Sequence, residues 1–165
     1  MAAYRALLDQ GLAASSIAFA GDFAGGGLCV TTGLAARAAG LSMPTAIVAF
    51  SPGLDHTRSG ASMDSKAEVD PFFTREGLWH TGELYLAGQD PHQNLLSPAM
   101  FADLTGFPPL QQVGTNEMLL DDSTRLAERA RVAGVDVILD VTARVPQVFQ
   151  TFALPAEHCT TSTAG

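Results

Sequence analysis

The chain has 165 residues, enough for one domain with its own core and too few for two. Its 47% hydrophobic and 16% charged residues place it outside the disordered class, and a net charge of −8 leaves little to attract a phosphate backbone, so no nucleic-acid partner is expected. Cys29 and Cys159 fit no disulfide framework or metal-ligand spacing and no apolar run reaches the length of a membrane span, so a cytoplasmic protein with reduced thiols, no metal and no cofactor is expected.

In chain order, residues 2–10 read as an amphipathic helix with Tyr4, Leu7 and Leu8 on one side, without the layout of a signal peptide. Residues 16–20 (SIAFA) form an apolar strand bounded by Ser15 and Gly21, and residues 25–39 carry small residues and Leu at helical spacing. A second buried strand, 45–50 (TAIVAF), ends at Ser51-Pro52-Gly53. Residues 51–105 are rich in Asp, Ser, Gly and Pro, too long for a plain loop, and predict a rim segment with a helix at 74–87. Phe72, Phe73, Trp79 and Tyr85 are expected to pack this rim on the sheet.

Residues 109–114 (PLQQVG) suggest a third strand, weakened by Gln111 and Gln112 where a central parallel strand is normally apolar. Residues 121–133 predict a helix with Asp121 and Asp122 at its acidic start and Gly134 at its end, and 135–141 (VDVILDV) a fourth strand. The alternation predicts an α/β fold of about four mostly parallel strands with flanking helices over residues 1–154, followed by a polar tail at 155–165.

The segment 17–28, IAFAGDFAGGGL, is a strand, a Gly-rich turn and a helix start. A dinucleotide fingerprint needs G-x-G-x-x-G, and residues 21–26 lack the second glycine. A phosphate loop needs Lys and Ser/Thr after its last glycine, where Gly27 and Leu28 stand. The third pattern, the nucleophile elbow G-x-S-x-G, fits Gly21-Asp22-Phe23-Ala24-Gly25 at every place except the nucleophile's.

This segment resembles the GDSAGG elbow of the hormone-sensitive-lipase-like esterases and lipases of the α/β-hydrolase fold, and the resemblance runs to about residue 154. Ser51-Pro52 with Asp55 resembles that group's SPxxD, Asp70-Pro71 with Thr74 its DP-x-x-T, and Ser97-Pro98, Phe101–Leu104 and Phe107-Pro108-Pro109 its SPL-x-A-D-L-x-x-LPP stretch. Val113–Glu117 with Asp121-Asp122-Ser123 resembles VGSDE-x-L-x-DDS, which carries the catalytic aspartate, and Val145–Phe149 resembles MPHVF, which carries the histidine. By these matches the serine place is Phe23, the aspartate place Asn116 and the histidine place Gln147.

The resemblance therefore implies a carboxylic-ester hydrolase (esterase, lipase or acetylhydrolase) in C-terminal portion, without its chemistry. A phenyl ring is no nucleophile, Gln takes no proton near neutral pH, and Asn cannot orient an imidazolium. Gly21, Asp22, Ala24 and Gly25 would keep the elbow, with the Ala24 N–H as one oxyanion donor. The group's second donor comes from an HGGG-type loop that these residues do not contain, and the cap and first strands are likewise expected to be absent. Phe23 would either relax the turn to negative φ or stay strained and fill the former acyl pocket. The alternatives to an inactive homologue are a module that binds a hydrophobic ligand, a small acyl ester or a partner segment in the emptied pocket, and an esterase with residual activity. An uncovered sheet edge invites homo-oligomers.

Other candidates carry less. Cys29 is expected to pack as a small hydrophobe, Ser15 and Ser16 to lie at the far end of the sheet, and His56, His80, His92 and His158 show no zinc spacing. His56 beside Asp55, after a strand's carboxyl end, is expected to form a rim hydrogen bond. Gln111 and Arg144 depart from the usual apolar and small residues at their places.

Overall fold

A computed structural model describes residues 1–142 and 144–151. The expected polar tail at 155–165, with His158 and Cys159, lies outside the described residues. Four strands, β1 (Ala18–Asp22), β2 (Ala46–Phe50), β3 (Leu110–Thr115) and β4 (Val137–Thr142), form one sheet in the order β1-β2-β3-β4. Every pairing is parallel, which requires each connection to return to the same end of the sheet. The returns carry helices α2 (Ala24–Ala38), α3 (Ser62–Ser65), α4 (Arg75–Leu86), α5 (Pro98–Phe101) and α6 (Leu120–Val132), while α1 (Ala2–Asp9) precedes the sheet.

The main core is built where α2 lies on β1 and β2 and α6 on β3 and β4. Val30 and Leu34 of α2, Ile47 of β2, Leu110 of β3 and Leu126 and Ala130 of α6 are all buried there. Gly33 permits this approach, because a Cβ at that position would stand 2.8 Å from the Phe107 ring and 2.9 Å from Ile47 Cδ1. Tyr4 ties α1 on, with its ring edge-on to Phe19 at 4.8 Å and its hydroxyl donating to the Ser42 carbonyl at 2.7 Å.

Two expectations need correction and a third is met. The first strand starts at Ala18, after a 3-10 turn at Ala14–Ser16, and runs through Gly21 and Asp22 instead of ending before them. The rim aromatics do not pack on the sheet as a group: Phe72 is 53% exposed, Trp79 51% and Tyr85 48%. Burial on α4 falls to Leu78 and Gly82 because its inner face is narrow, and only Phe73 of the four aromatics joins a buried cluster. The third strand forms where it is expected, at Leu110–Thr115, with both glutamines in its ladder: Gln111 is registered against Val48 and Ile138, and Gln112 against Ala49 and Leu139. Backbone ladders are indifferent to side-chain polarity, and the neighbours on both sides define the strand.

Arg144 lies exposed just past β4, at φ 65°. Among the described residues β1 pairs only with β2 and β4 only with β3, and no helix is long and apolar enough to cross a membrane.

Candidate functional site

The site forms where the chain leaves β1. Phe23 follows the last strand residue at φ 44°, ψ −110°, and Ala24 opens α2 at once. The Phe23 N–H donates to the Phe50 carbonyl at 3.0 Å, continuing the ladder, while its own carbonyl accepts from Gly27 N at 3.1 Å and Gly53 N at 3.2 Å. A sharp strand-to-helix reversal with a positive-φ residue at its apex is elbow geometry. Of the two conformations open to Phe23, the strained one is found, at a cost of ~1–3 kcal/mol. Its ring is half-buried, 4.9 Å from Phe73, and packs on the cluster of Met63, Leu78, Met118 and Leu119, which offsets that cost.

The glycines divide into those the turn requires and one it does not. A Cβ on Gly21 would stand 2.5 Å from the Gly25 carbonyl carbon, one on Gly26 2.9 Å from Pro52 Cβ, and one on Gly27 2.6 Å from the Gly53 oxygen. At Gly25 the nearest atom is Asp22 Oδ1 at 4.0 Å. We expect Gly21→Ala to cost ~1–3 kcal/mol or more, since backbone must move, and Gly25→Ala to be neutral or to stabilise α2 by up to ~1 kcal/mol. Urea unfolding of the two variants checks this, and equal effects would count against the steric account.

The other two sequence-assigned positions follow strands at the same edge of the sheet. Asn116 is half-buried in the bend after β3. The bend is held by Asp70, whose Oδ2 accepts from Met118 N at 3.0 Å while Oδ1 accepts from Phe72 N and Phe73 N at 2.9 and 3.0 Å. One carboxylate therefore joins the segment of Phe73 to the segment that follows Asn116. Gln147 is buried beyond β4, with Nε2 donating to the Ser51 carbonyl at 3.3 Å, and the next backbone N–H donates to Ser51 Oγ at 3.2 Å. Phe23 and Gln147 are thus both fastened to the 50–53 segment, and Met118 and Leu119 after Asn116 pack against Phe23. Asp22 is exposed at the end of β1, and Ala24, at the first position of α2, carries an N–H with no helical acceptor.

Acidic residues hold the loops around this edge. The Asp121 carboxylate accepts from Ser62 N at 3.0 Å while Ser62 Oγ accepts from Asp121 N at 3.1 Å. Asp122 is fully buried, accepts from Leu54 N at 2.7 Å and Asp55 N at 2.9 Å, and is pushed up to about 7 by burial. Both lie in the first turn of α6, but their carboxylates serve other loops rather than that helix's own end, a role the sequence reading did not give them.

The expected His56–Asp55 hydrogen bond is replaced by separate partners. Asp55 accepts from Thr57, Ser59 and Arg125, while the His56 ring stacks on Tyr85 at 4.7 Å. Burial and the Arg58 charge lower His56 to about 4, so its ring is neutral near pH 7. Cys29 is half-buried against the main core, which raises its thiol, as a small hydrophobe would sit. His80 is exposed, His92 is exposed beside Asp90, and among the described residues no group of three or more His, Cys, Asp or Glu could hold a metal.

Arg58, only 8% exposed and at φ 54°, was missed in the sequence. An arginine between Thr57 and Ser59 carries no local sign of burial.

A parallel sheet whose first strand reverses into a helix through a positive-φ apex is the nucleophile-elbow architecture of the α/β hydrolases, and comparison places the chain among them. The family model described as alpha/beta hydrolase fold matches residues 1–151, and the chain belongs to that family, within its hormone-sensitive-lipase-like esterases. An acetyl-hydrolase of Streptomyces hygroscopicus is 43% identical over 141 residues, 85% of this chain and 47% of that protein. An esterase of Acinetobacter venetianus is 35% identical over 151 residues, 90% of this chain and 50% of that protein. A crystal structure of an esterase from the bacterial hormone-sensitive lipase family superposes with a TM-score of 0.90 at 44% identity, covering 93% of this chain and 52% of that one. The chain spans about half the length of the curated relatives it matches.

Proposed function

We propose that these residues are the C-terminal portion of a carboxylic-ester hydrolase domain that has lost serine-dependent turnover and keeps the site as a binding pocket. The observation that carries this reading is the elbow apex: the residue held at φ 44° between β1 and α2 is Phe23, whose ring has no group to attack a carbonyl. Asn116 and Gln147 at the other two family positions supply neither the carboxylate nor the proton acceptor of the mechanism. Loss of a complete triad costs on the order of 10⁶ in kcat. The Ala24 N–H at the start of α2 remains in place as one oxyanion donor, so what this reading removes is the nucleophile and its base.

The test is hydrolysis of p-nitrophenyl acetate and butyrate by the purified 165-residue chain, set against Asn116→Ala and Gln147→Ala. The expected result is the same near-background rate for all three proteins. Activity above background that disappears in either variant would overturn the reading and establish a residual esterase.

A further inference from the structure

Beside the elbow lies a cavity of about 330 Å³, within the roughly 300–1,000 Å³ range of small-molecule sites and near its lower end. Phe23, Leu28, Leu95, Leu96 and Pro98 give it largely apolar walls, and three residues of different character, His56, Arg58 and Gly82, meet at one place in it. A Cβ on Gly82 would stand 3.4 Å from Arg58 Nη2, 3.6 Å from His56 Nδ1 and 3.8 Å from Arg58 Nε. The missing side chain on α4 therefore leaves a small space onto which a guanidinium edge and a ring nitrogen converge.

The polar atoms at this space are under-used. Arg58 Nη2 donates to the Leu78 carbonyl at 3.2 Å, an acceptor that Thr81 Oγ1 also uses. Among the described residues Arg58 Nε and Nη1 and His56 Nδ1 are buried with no hydrogen-bond partner. The nearby carboxylates are committed elsewhere: Asp55 to Thr57, Ser59 and Arg125, and Asp122 to the Leu54 and Asp55 N–H groups. Stacking on Tyr85 fixes the His56 ring plane, and its neutral ring can place its one N–H on Nδ1. Leaving buried donors of a cation unmatched is costly, and a carboxylate is the acceptor that matches an arginine edge best.

We propose that this cavity binds a short-chain carboxylate, its oxygens on Arg58 and His56 over Gly82 and its alkyl chain along Leu28, Leu95 and Leu96. Such a molecule is the acid half of a carboxylic ester. The inference deepens the binding reading of the site and does not depend on whether turnover is lost.

Isothermal titration calorimetry of the 165-residue chain with sodium butyrate and sodium hexanoate, against 1-hexanol, tests it. Hexanoate is expected to bind one-to-one and at least tenfold more tightly than hexanol. Gly82→Ala places its methyl at ordinary contact distance in the space itself and improves the helix propensity of α4. It is expected to keep the fold and weaken hexanoate at least tenfold, and Arg58→Gln to erase the preference over hexanol. Should Arg58→Gln not fold, Gly82→Ala and Leu28→Trp on the exposed rim decide the matter. Equal affinity for hexanoate and hexanol would overturn the carboxylate site while leaving an apolar pocket, no binding of either would overturn the binding reading as well, and hexanoate affinity unchanged in Gly82→Ala would overturn the placement.

Discussion

The triple variant Phe23→Ser, Asn116→Asp, Gln147→His is expected to raise turnover of p-nitrophenyl butyrate by less than about a hundredfold, although the triad it restores is worth on the order of 10⁶ where the rest of the site is complete. The shortfall comes from parts that three side chains do not supply. Each oxyanion donor is worth about 10²–10³, and the one that the described elbow residues offer is the Ala24 N–H, which the substitutions leave unchanged. The remaining factor needs a base within hydrogen-bond reach of the nucleophile, and about 1 Å of misplacement costs about 10². Position 147 is fastened to the Ser51 carbonyl by its present side chain, and an imidazole there would have to give up that bond to meet a hydroxyl at position 23. The substituted apex would also surrender the packing of Phe23 on Phe73 and Met118, so circular dichroism must accompany the assay. Recovery beyond about 10⁴ would show that the elbow, bend and β4 exit already stand in productive register, and that Phe23, Asn116 and Gln147 alone silence the chain.

What was legible in the sequence was what short-range pattern controls. The apolar run at 45–50 and the β-branched run at 135–141 become β2 and β4 within a residue or two, and the elbow becomes a strand-to-helix reversal because Gly21, Gly26 and Gly27 leave it room. The helix 74–87 begins where Thr74 Oγ1 accepts from Gly77 N at 3.0 Å, a cap that a sequence can announce. Illegible were the arrangements that depend on which loop meets which. His56 and Asp55 are neighbours in sequence, yet one stacks on α4 and the other turns to Arg125 of α6, because the 55–59 loop is wedged between two helices far along the chain. Arg58 is buried for the same reason. The exposed Trp79 and Tyr85 fail the rule that aromatics go inside because α4 buries only Leu78 and Gly82, and Tyr85 meets the 55–59 loop with one ring face. The site's polar character thus arises from tertiary packing, while its backbone was written locally.

Asp122 is where that packing should be measurable as a pH effect. Its carboxyl titrates at 3.8 in an open chain and at about 7 here, because burial disfavours the charged form more than its two backbone hydrogen bonds favour it. Between those values the folded protein holds a proton that the unfolded chain does not, so Asp122 makes stability fall as pH rises, by up to about 1.4 kcal/mol per pH unit. His56 acts in the opposite sense. Burial and Arg58 lower it from 6.5 to about 4, so across that interval the unfolded chain holds the extra proton and stability rises with pH. The two effects oppose each other through the mildly acidic range, and the unaltered chain is expected to show a flat profile there, with a decline confined to the interval between 6.5 and about 7. Asp55, lowered by its bonds to Thr57 and Ser59, adds stability that is lost as pH falls below 3.8. Urea unfolding from pH ~4.5 to ~7.5 separates the contributions. Asp122→Asn should leave stability climbing toward neutrality, and His56→Leu should leave it falling. Asp122→Ala, which strands the Leu54 and Asp55 N–H groups, should cost ~3–5 kcal/mol where Asn costs less, since an amide oxygen still accepts from them. An Asp122→Asn profile parallel to that of the unaltered chain would mean that the carboxyl is charged in the folded state, and that Arg58 is more fully neutralised than a carboxylate-binding role for its cavity allows.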